Sequence, residues 1–564
     1  MCLIISCPVI DTIINSITMG RMRKYIYIIL ILVIIVAGLL RFYGMDWGIP
    51  KEPYWRNHYQ DEAFVLGLLF KMEPPSLNPH YFINPTFHYY TILFSLKVAS
   101  LFRYLKSFSL PIKTDRFGQP TEKISLSDYA KIFKVGRLIS IVEGIILILL
   151  IFLITRNLYN EKVGIIAALF SAIIPSLIYQ SHFLVVDAPG VFWLILAFWF
   201  ITTKVPAKKM TLWFILAGLF IGLAVGTKYT NLLLFLPFLF KVYNLNKKKK
   251  IPLLKKLFCN YTFITILVAG LIFLLTTPYS ILSLNEFLNG DENGFGGIFG
   301  RRGLLYYNAY PTNLILPFSL ATYHSLRLPL TIFAFLSLIY LIYKRRNSDL
   351  MLLFFIIPFY LMLVYRASPH LRHILPVLPF LIIGLSRTIE DLILNQKIRV
   401  IKPFLIGAII FTFVYTLLFS LAMLKRMTPV DTRIESADWV KENIPKDATI
   451  GLASFFPWNY TPPIEMITDK IVMTGYNYEN LLRLAPDYFI ITEYEVKEFS
   501  GARDNIWTCE QFIKQLAQQN EYKLVKKFYN EFEILGVKFY PDFPNMEWNP
   551  VNPQIYIYEN SLRK

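Results

Sequence analysis

Residues 86–105 read "TFHYYTILFSLKVASLFRYL", twenty residues long enough and apolar enough to cross a bilayer, yet carrying Lys97 and Arg103. Whether this stretch crosses decides the arrangement of the whole chain. Eleven further segments approach the roughly 20 apolar residues of a spanning helix, the shorter ones with interfacial aromatics. They are 25–41, 131–155, 163–183, 188–203, 211–227, 229–243, 262–283, 327–343, 349–365, 371–388 and 403–424. Short cytoplasmic loops of membrane proteins are rich in Lys and Arg. If 86–105 does not cross and the N-terminus is cytoplasmic, five basic stretches fall inside: "RNLYNEK" (156–162), "KVPAKK" (204–209), the lysine cluster at 241–256, "KRR" (344–346) and the 387–402 loop. If it crosses, every one of them falls outside. The first arrangement is therefore expected: eleven spans, a long outer loop from about 42 to 130 holding in-plane helices, and an outer C-terminal end.

Composition agrees with a polytopic α-helical membrane protein. The 564 residues are 55% hydrophobic and 16% aromatic, with 17% charged and a mean hydropathy of +0.47. Soluble domains carry about 25% charged residues. A net charge of +19 would ordinarily suggest a nucleic-acid or anionic-membrane partner. Because the excess sits in the loops named above, with "RMRK" (21–24) before the first span, nucleic acid is excluded as a partner. Cys2, Cys7, Cys259 and Cys509 are scattered, without metal-ligand spacing or a disulfide framework. The opening "MCLIISCPVIDTIINSITMG" resembles neither a signal peptide nor a spanning helix, since its basic residues follow it. Met19 and Met22 are alternative starts, which would make 1–21 non-native. The expected organisation is a cytoplasmic segment at 1–24, a membrane domain at 25–424 and an extracytoplasmic domain at 425–564.

The last domain has a different pattern. "ESADWVKENIPKDATIGLAS" reads as an amphipathic helix, a turn and a strand. "PDYFIITEYE" and "EYKLVKKFYNEFEILGVKFY" read as strands with the helix "CEQFIKQLAQQ" between them, and "IYIYE" as a last strand. This is a small α/β domain. The intervening "PDFPNMEWNPVNPQ" is irregular, and no internal repeat is present.

Chemistry-bearing residues collect on the outer face of this arrangement. "NHYQDEAFVLGLLFKM" (57–72) places Asp61 and Glu62 at the start of an apolar run. Acids there complement a helix dipole, so capping is the plain explanation and catalysis the sharper one. Asp187, in "SHFLVVDAPGVFWLI", heads a span and is followed by Pro189; it reads either as a cap or as a functional acid near membrane depth. His58, His80, His88, His182, His324, His370 and His373 all fall in outer loops or at outer helix ends. No spacing among them is diagnostic of a metal, and a divalent ion stays open as a cofactor. Lys228 in "GTKYTN", Arg366, Arg372 and His373 in "YRASPHLRHILPVLP", and Arg301 and Arg302 break the positive-inside trend. Snorkelling to lipid headgroups explains any one of them. Together they imply an anion, for which a phosphate at the membrane surface fits. Arg137 and Glu143, in the second span, read as a structural pair or caps within the bundle.

With these stretches in hand, the chain resembles the membrane-embedded GT-C glycosyltransferases. It is most similar to the dolichyl-phosphate-mannose–protein mannosyltransferase group (glycosyltransferase family 39-like) and to the aminoarabinose transferase that modifies lipid A. The resemblance covers roughly 25 to 425. It rests on "QDEAFVLGLLF", "NPHYFINPTFHYYTILFSL" and "KVGRLISIVEGIILILLIFLITRNLY". It continues through "IPSLIYQSHFLVVDAPGVFWLILAFW", "GLFIGLAVGTKYTNLLLFLPFL" and "LRHILPVLPFLIIGLS". It implies a GT-C fold, a polyprenyl-phosphate sugar as donor, and a lipid, glycan or protein hydroxyl as acceptor. It also implies an integral protein of a prokaryotic plasma or inner membrane, with its active site outside. Asp61 then matches the expected general base, with Glu62 beside it, and Asp187 the acid near acceptor or base. Lys228, Arg366, Arg372, His373, His80 and Asn84 make up the expected phosphate- and sugar-binding set. Asn84-Pro85 stands where many relatives have Lys-Pro or His-Pro-Pro, so Lys228, Arg366 or Arg372 must meet the phosphate charge. In "HYQDE", His58 lies one residue farther from the acid than in the common form.

The expected reaction is attack of an acceptor hydroxyl, deprotonated by Asp61, on the anomeric carbon. A phosphate leaving group needs charge neutralisation more than protonation, so cations replace a glycosidase's general acid. One base opposite the phosphate predicts inversion. Three competing readings remain. An oligosaccharyltransferase-like enzyme would carry a Trp-Trp-Asp-Tyr-Gly block, which is absent; "MDWGIP" (45–50) is no substitute. A transporter or flippase would share the spans and intramembrane charges but is disfavoured by the absent repeat symmetry. A non-catalytic scaffold would use only the C-terminal domain.

Overall fold

The computed structural model describes residues 8–106, 108–114, 120–121, 124–204, 207–299, 322–366, 371–453, 461–493, 495, 506–539 and 551–563. Among these, five helical stretches are long and apolar enough to cross a membrane: 23–42, 126–158, 210–227, 347–364 and 402–425. Shorter apolar helices occupy 187–202, 260–276 and 328–344. The chain is an integral membrane protein.

Several segments read as single spans are broken, each for a local reason. The 163–183 stretch divides into helices Glu161–Ala172 and Pro175–Gln180. Pro175 cannot donate to the ladder, and Ile174 before it is extended (φ −64°, ψ 121°). The 371–388 stretch begins as two 3-10 turns, Leu371–His373 and Leu375–Val377, before the helix Leu378–Leu394. The 229–243 stretch starts with the 3-10 turn Tyr229–Leu234. The doubtful 86–105 stretch forms a helix only over Phe87–Leu101, 15 residues. At 1.5 Å per residue that is about 22 Å, short of a ~30 Å hydrocarbon core. Together with Gln60–Phe70 it packs under a separate apolar cluster that includes Leu66, Tyr89, Ile92 and Phe133.

Helix–helix packing depends on glycine where two backbones approach closely. Gly218, Gly222 and Gly226 repeat every four residues along Met210–Thr227. A β-carbon on Gly218 or Gly222 would lie 2.7 Å from the Thr265 or Ala269 carbonyl oxygen of Asn260–Thr276. Small residues at this spacing let two backbones touch in a membrane.

The polar helix ends gather on two faces. On one, Arg23 pairs with Glu161 (2.8 Å), Asn160 donates to Glu390 (2.9 Å), Tyr159 to Asp349 (2.8 Å), and Arg346 to Asp391 (2.7 Å). Leu126–Leu158 runs from this face to the other, where Arg137 sits. Arg137 and Tyr159 are 22 positions apart, about 33 Å along a helix.

Past Lys402–Lys425 the chain enters an α/β unit. Its strands are β1 (Ile450–Leu452), β2 (Ile471–Met473), β3 (Tyr488–Thr492), β4 (Tyr522–Phe528), β5 (Glu533–Ile534), β6 (Val537–Lys538) and β7 (Ile555–Asn560). The main sheet has the order β2-β1-β3-β7-β4. β1 is parallel to β2 and β3, and β7 is antiparallel to β3 and β4. The last strand is thus interior, not an edge. Its Ile555 and Ile557 face Val440 of helix Thr432–Asn443, while Tyr556 and Tyr558 face Phe512 and Leu516 of helix Ile506–Gln518. The β5–β6 hairpin instead reaches the bundle, where Phe532 and Phe539 pack edge-on against Phe419.

Candidate active site

Asp61 and Glu62 both lie in the first turn of Gln60–Phe70, preceded by the extended residue Tyr59. Adjacent helix positions point about 100° apart, so the two acids meet different surroundings. Glu62 is fully buried. Its Oε1 accepts from Arg137 Nε (2.8 Å) and Leu184 N (3.0 Å), and its Oε2 from Arg137 Nη2 (2.5 Å) and Asn57 Nδ2 (3.1 Å). Arg137 Nη1 in turn donates to the carbonyls of Met45 and Trp47, both at 2.6 Å. Arg137 therefore pairs with Glu62, and not with Glu143 as the sequence had suggested. Every strong acceptor site of Glu62 faces a donor, which makes it a clamp between the first outer loop and the bundle.

Asp61 is more open, its side chain 36% exposed, and forms an ion pair with Arg372 of the 3-10 turn Leu371–His373. The pair joins residues 311 positions apart. Asp187 begins helix Asp187–Thr202, with Pro189 behind it, and Lys228 caps the C-terminus of Met210–Thr227. Their ion pair (2.5 Å) is nearly buried. Each charge complements the dipole of the helix end on which it sits. The Lys228 stem packs on Gly190, and Asn231 Nδ2 ties the corner by donating to Gly190 O (3.0 Å) and Ala224 O (2.9 Å).

The two pairs are linked through the backbone between them. Leu184, whose N–H donates to Glu62, accepts at its carbonyl oxygen from His88 Nε2 (3.3 Å). Tyr89 follows His88, hydrogen-bonds with half-buried Asn84 and senses the Asp187 charge. Of the remaining expected residues, His80 pairs with Glu286 (2.5 Å) on helix Leu284–Asn289. His373 is half-buried beside Arg372. Arg366 closes helix Asn347–Arg366. Arg301, Arg302 and His370 lie outside the described residues. No group of three or more His, Cys, Asp or Glu among the described residues is arranged to hold a metal ion.

The expected phosphate cations Lys228 and Arg372 are thus each matched by a carboxylate of the protein. A cation that sequence reasoning passed over has no carboxylate partner among the described residues. Arg327 is 4% exposed, and its Nε and Nη1 have no hydrogen-bond partner. Its guanidinium lies over the Phe419 and Tyr323 rings (4.1 and 5.3 Å), and its backbone is left-handed (φ 67°). Gln180, 2% exposed, has both amide atoms unpartnered. Its helix, Pro175–Gln180, packs against both Tyr323–Leu326 and the turn carrying Arg372, with Ser176 Oγ donating to Ser325 O (3.3 Å).

Residues 130–281 match the family model for dolichyl-phosphate-mannose-protein mannosyltransferase. No curated protein matches the chain by sequence. Among solved structures, an archaeal oligosaccharyltransferase, AglB from Archaeoglobus fulgidus, in complex with an inhibitory peptide and a dolichol-phosphate, has a TM-score of 0.52 at 13% identity over 94% of this chain and 77% of that one. The Archaeoglobus fulgidus oligosaccharyltransferase tethered with an acceptor peptide has a TM-score of 0.50 at 15% identity, over 92% and 74%. ArnT from Cupriavidus metallidurans bound to undecaprenyl phosphate has a TM-score of 0.45 at 12% identity, over 93% and 97%. The fold and the family match together identify the chain as a membrane glycosyltransferase of the GT-C superfamily. Over residues 130–281 it is similar to the protein-mannosyltransferase family, the resemblance read from its motifs.

Proposed function

We propose that the protein transfers a sugar from a polyprenyl-phosphate donor to an acceptor hydroxyl on the extracytoplasmic side, with inversion. The observation that carries this reading is the Asp61–Arg372 pair: a partly open carboxylate beside a guanidinium, at the face opposite the basic loops. Asp61 accepts the acceptor's proton as the hydroxyl oxygen bonds to the anomeric carbon. The bond from that carbon to the phosphate oxygen breaks, and polyprenyl phosphate leaves with the electron pair. Before donor binds, Arg372 neutralises Asp61; a donor phosphate competes for the guanidinium and releases the base. Arg327, buried with Nε and Nη1 unpartnered and no counter-charge among the described residues, supports a second phosphate contact, because an uncompensated buried cation is stable only at high cost. Asp187 and Lys228 line the same polar end, Lys228 toward the phosphate and Asp187 toward the acceptor. Glu62 serves as the clamp and not as a base.

The sidedness draws support from the polar face around Arg23, Asn160, Arg346 and Asp391, which unites the loops that charge counting put inside. A transporter is not favoured, since neither the family match nor the fold relatives are transporters. The test is incubation of the purified full chain with labelled polyprenyl-phosphate sugars. Asp61→Asn should lower transfer by roughly 100- to 10,000-fold, the range of a positioned general base. Asp187→Asn should lower it as well, with folding preserved in both. Equal transfer by all three proteins would end this reading, and a product of retained configuration would end the inverting mechanism.

A further inference from the structure

The β5–β6 hairpin belongs to the α/β unit by sequence but lies against the membrane bundle. Phe532 and Phe539 flank it, joined by the backbone hydrogen bond from Phe539 N to Phe532 O (2.8 Å). Both rings are buried beside helix Lys402–Lys425, with Ile534 and the helix residues Leu417, Leu418 and Leu421 packed on the same apolar cluster. The two flanks meet that helix at different heights. Phe532 lies near the Arg426 guanidinium (5.5 Å) and the Phe419 ring (4.9 Å), whereas Phe539 lies near Phe419 (5.4 Å) and Tyr415 (5.7 Å). Arg426 and Tyr415 are 11 positions apart, about 16 Å along a helix. β6 is therefore nearer the bilayer centre than β5. From Tyr415 through Leu424 every helix residue is buried or half-buried, whereas Ile410, Phe411 and Val414 just past the hairpin are exposed. On a spanning helix such an exposed apolar face meets lipid. The hairpin thus covers the helix down to the point where its lipid-facing surface begins, and there Phe411 stacks on Tyr415 (6.0 Å).

The tip of the hairpin is apolar. Leu535 and Gly536 form a two-residue turn between the paired Ile534 and Val537, both in the left-handed region (φ 50° and 76°). Asn, Asp or Gly is favoured at the first position of such a turn, because a bulky side chain there crowds its own backbone. This chain places a leucine there, 84% exposed. Val537 is exposed as well, and no atom of the described residues lies within 4 Å of a β-carbon on Gly536. An exposed leucine alone is ordinary. This one is held in an unfavourable backbone conformation, stays outside the protein core and projects beside a lipid-facing surface; burial in lipid accounts for all three. Charges keep to the base of the hairpin, where Glu533 pairs with Lys425 (3.4 Å) and Glu531 with Lys538 (2.9 Å). We propose that the hairpin is a lipid anchor. Leu535 and Val537 insert among the acyl chains of the leaflet on the side of the α/β unit and hold that unit at a set height above the bilayer. The anchor rests on the bilayer embedding of Lys402–Lys425 and not on the transferase reading.

The test is fluorescence quenching of an NBD label on Leu535→Cys, in the full chain with Cys2, Cys7, Cys259 and Cys509 replaced by serine. The protein is held in nanodiscs of phosphatidylcholine and phosphatidylglycerol, where both faces are open to water. Arg483→Cys, exposed on helix Tyr478–Leu484 of the α/β unit, carries the same label as reference. Lipids with a doxyl group on the acyl chain should quench the label at 535 and leave the one at 483 unaffected. Iodide should quench at 535 several-fold more weakly than at 483, and emission at 535 should be shifted to the blue. Val537→Cys should behave as 535 does, and it decides the matter if the label at 535 prevents folding. Iodide quenching equal to that at 483, without quenching by doxyl lipid, would place the tip in water and overturn the proposal. Shielding from both quenchers would overturn it too, because the tip would then be covered by protein, from this chain or a second copy.

Discussion

Two neighbouring carboxylates divide into different tasks because a helix turns them to different surroundings. Asp61 meets one partly exposed cation and partial solvent; Glu62 meets four donors in a dry interior. Removing Glu62 leaves Arg137 charged, buried and without its carboxylate. Glu62→Ala should therefore destabilise by about 3–5 kcal/mol, read as a large drop in the thermal unfolding midpoint, whereas Asp61→Ala should shift it little. A comparable drop in both would refute the division. Arg327 invites the opposite experiment. Replacing a buried cation that has no carboxylate partner among the described residues by an apolar side chain of similar volume removes an uncompensated desolvation cost. Arg327→Met should keep or raise the midpoint of the donor-free protein and abolish the further rise caused by adding polyprenyl phosphate. A lowered midpoint with the ligand response intact would make Arg327 a structural residue held by its aromatic neighbours. Asp61, Asp187, Lys228 and Arg372 stood out as candidates in the sequence because charge is conspicuous in apolar surroundings, and the structure joins them as two ion pairs. Arg327 did not, since an arginine just before "LPLTIF" reads as one more headgroup anchor. The Glu62–Arg137 pair was equally hidden, because partners 75 residues apart leave no trace in local pattern.

At the scale of elements, local backbone chemistry explains both what sequence reading anticipates and where it errs. The helix, turn and strand expected from "ESADWVKENIPKDATIGLAS" are present as Thr432–Asn443 and Ile450–Leu452. Asp431 caps that helix by accepting from Arg433 N (3.0 Å). The break at Pro175 could have been read as well, but hydropathy alone runs straight through it. The interior place of β7 could not, because strand order depends on pairings no local pattern encodes. The glycine repeat in "GLFIGLAVG" was visible and carries a specific consequence. Gly222→Leu would force the Met210–Thr227 and Asn260–Thr276 helices apart against the Ala269 carbonyl. That should cost about 1–3 kcal/mol and also lower transfer, since Lys228 directly follows this helix. Gly270, on the facing helix, has no atom within 4 Å of its would-be β-carbon. Gly270→Ala should therefore leave midpoint and activity unchanged. Equal effects of the two substitutions would mean that the close approach contributes nothing.

At the scale of the whole molecule, the α/β unit and the bundle are joined through the first outer loop, and the joint contains titratable groups. Arg433 bonds Asp431, reaches the His58 carbonyl (3.3 Å) and lies over Trp47 (5.7 Å). Arg426 donates to Asn552 O (2.8 Å), and Arg56 to Thr461 O (3.2 Å). Burial pushes His58 down to about 3, helped by Arg433, Arg56 and Arg137 against the pull of Asp431. Burial also pushes Asp431 up, but Arg433 outweighs it and holds the carboxyl at about 2. Between about pH 3 and the ordinary histidine value of about 6.5, the unfolded chain binds a proton at His58 that the folded chain refuses. Stability therefore falls as pH drops through this window. Asp431 contributes in the same direction only between about pH 3.8 and 2, where its folded-state advantage is lost. Acidification from pH 7 to pH 4 should thus loosen the joint mainly through His58, by about 3 kcal/mol at pH 4. The measurement is the thermal midpoint of wild type and His58→Leu at both pH values. Wild type should lose more on acidification than the variant, whereas Asp431→Asn should weaken the joint already at pH 7, since Arg433 then lacks its counter-charge. Equal acid losses in wild type and His58→Leu would exclude this joint as the acid-sensitive element.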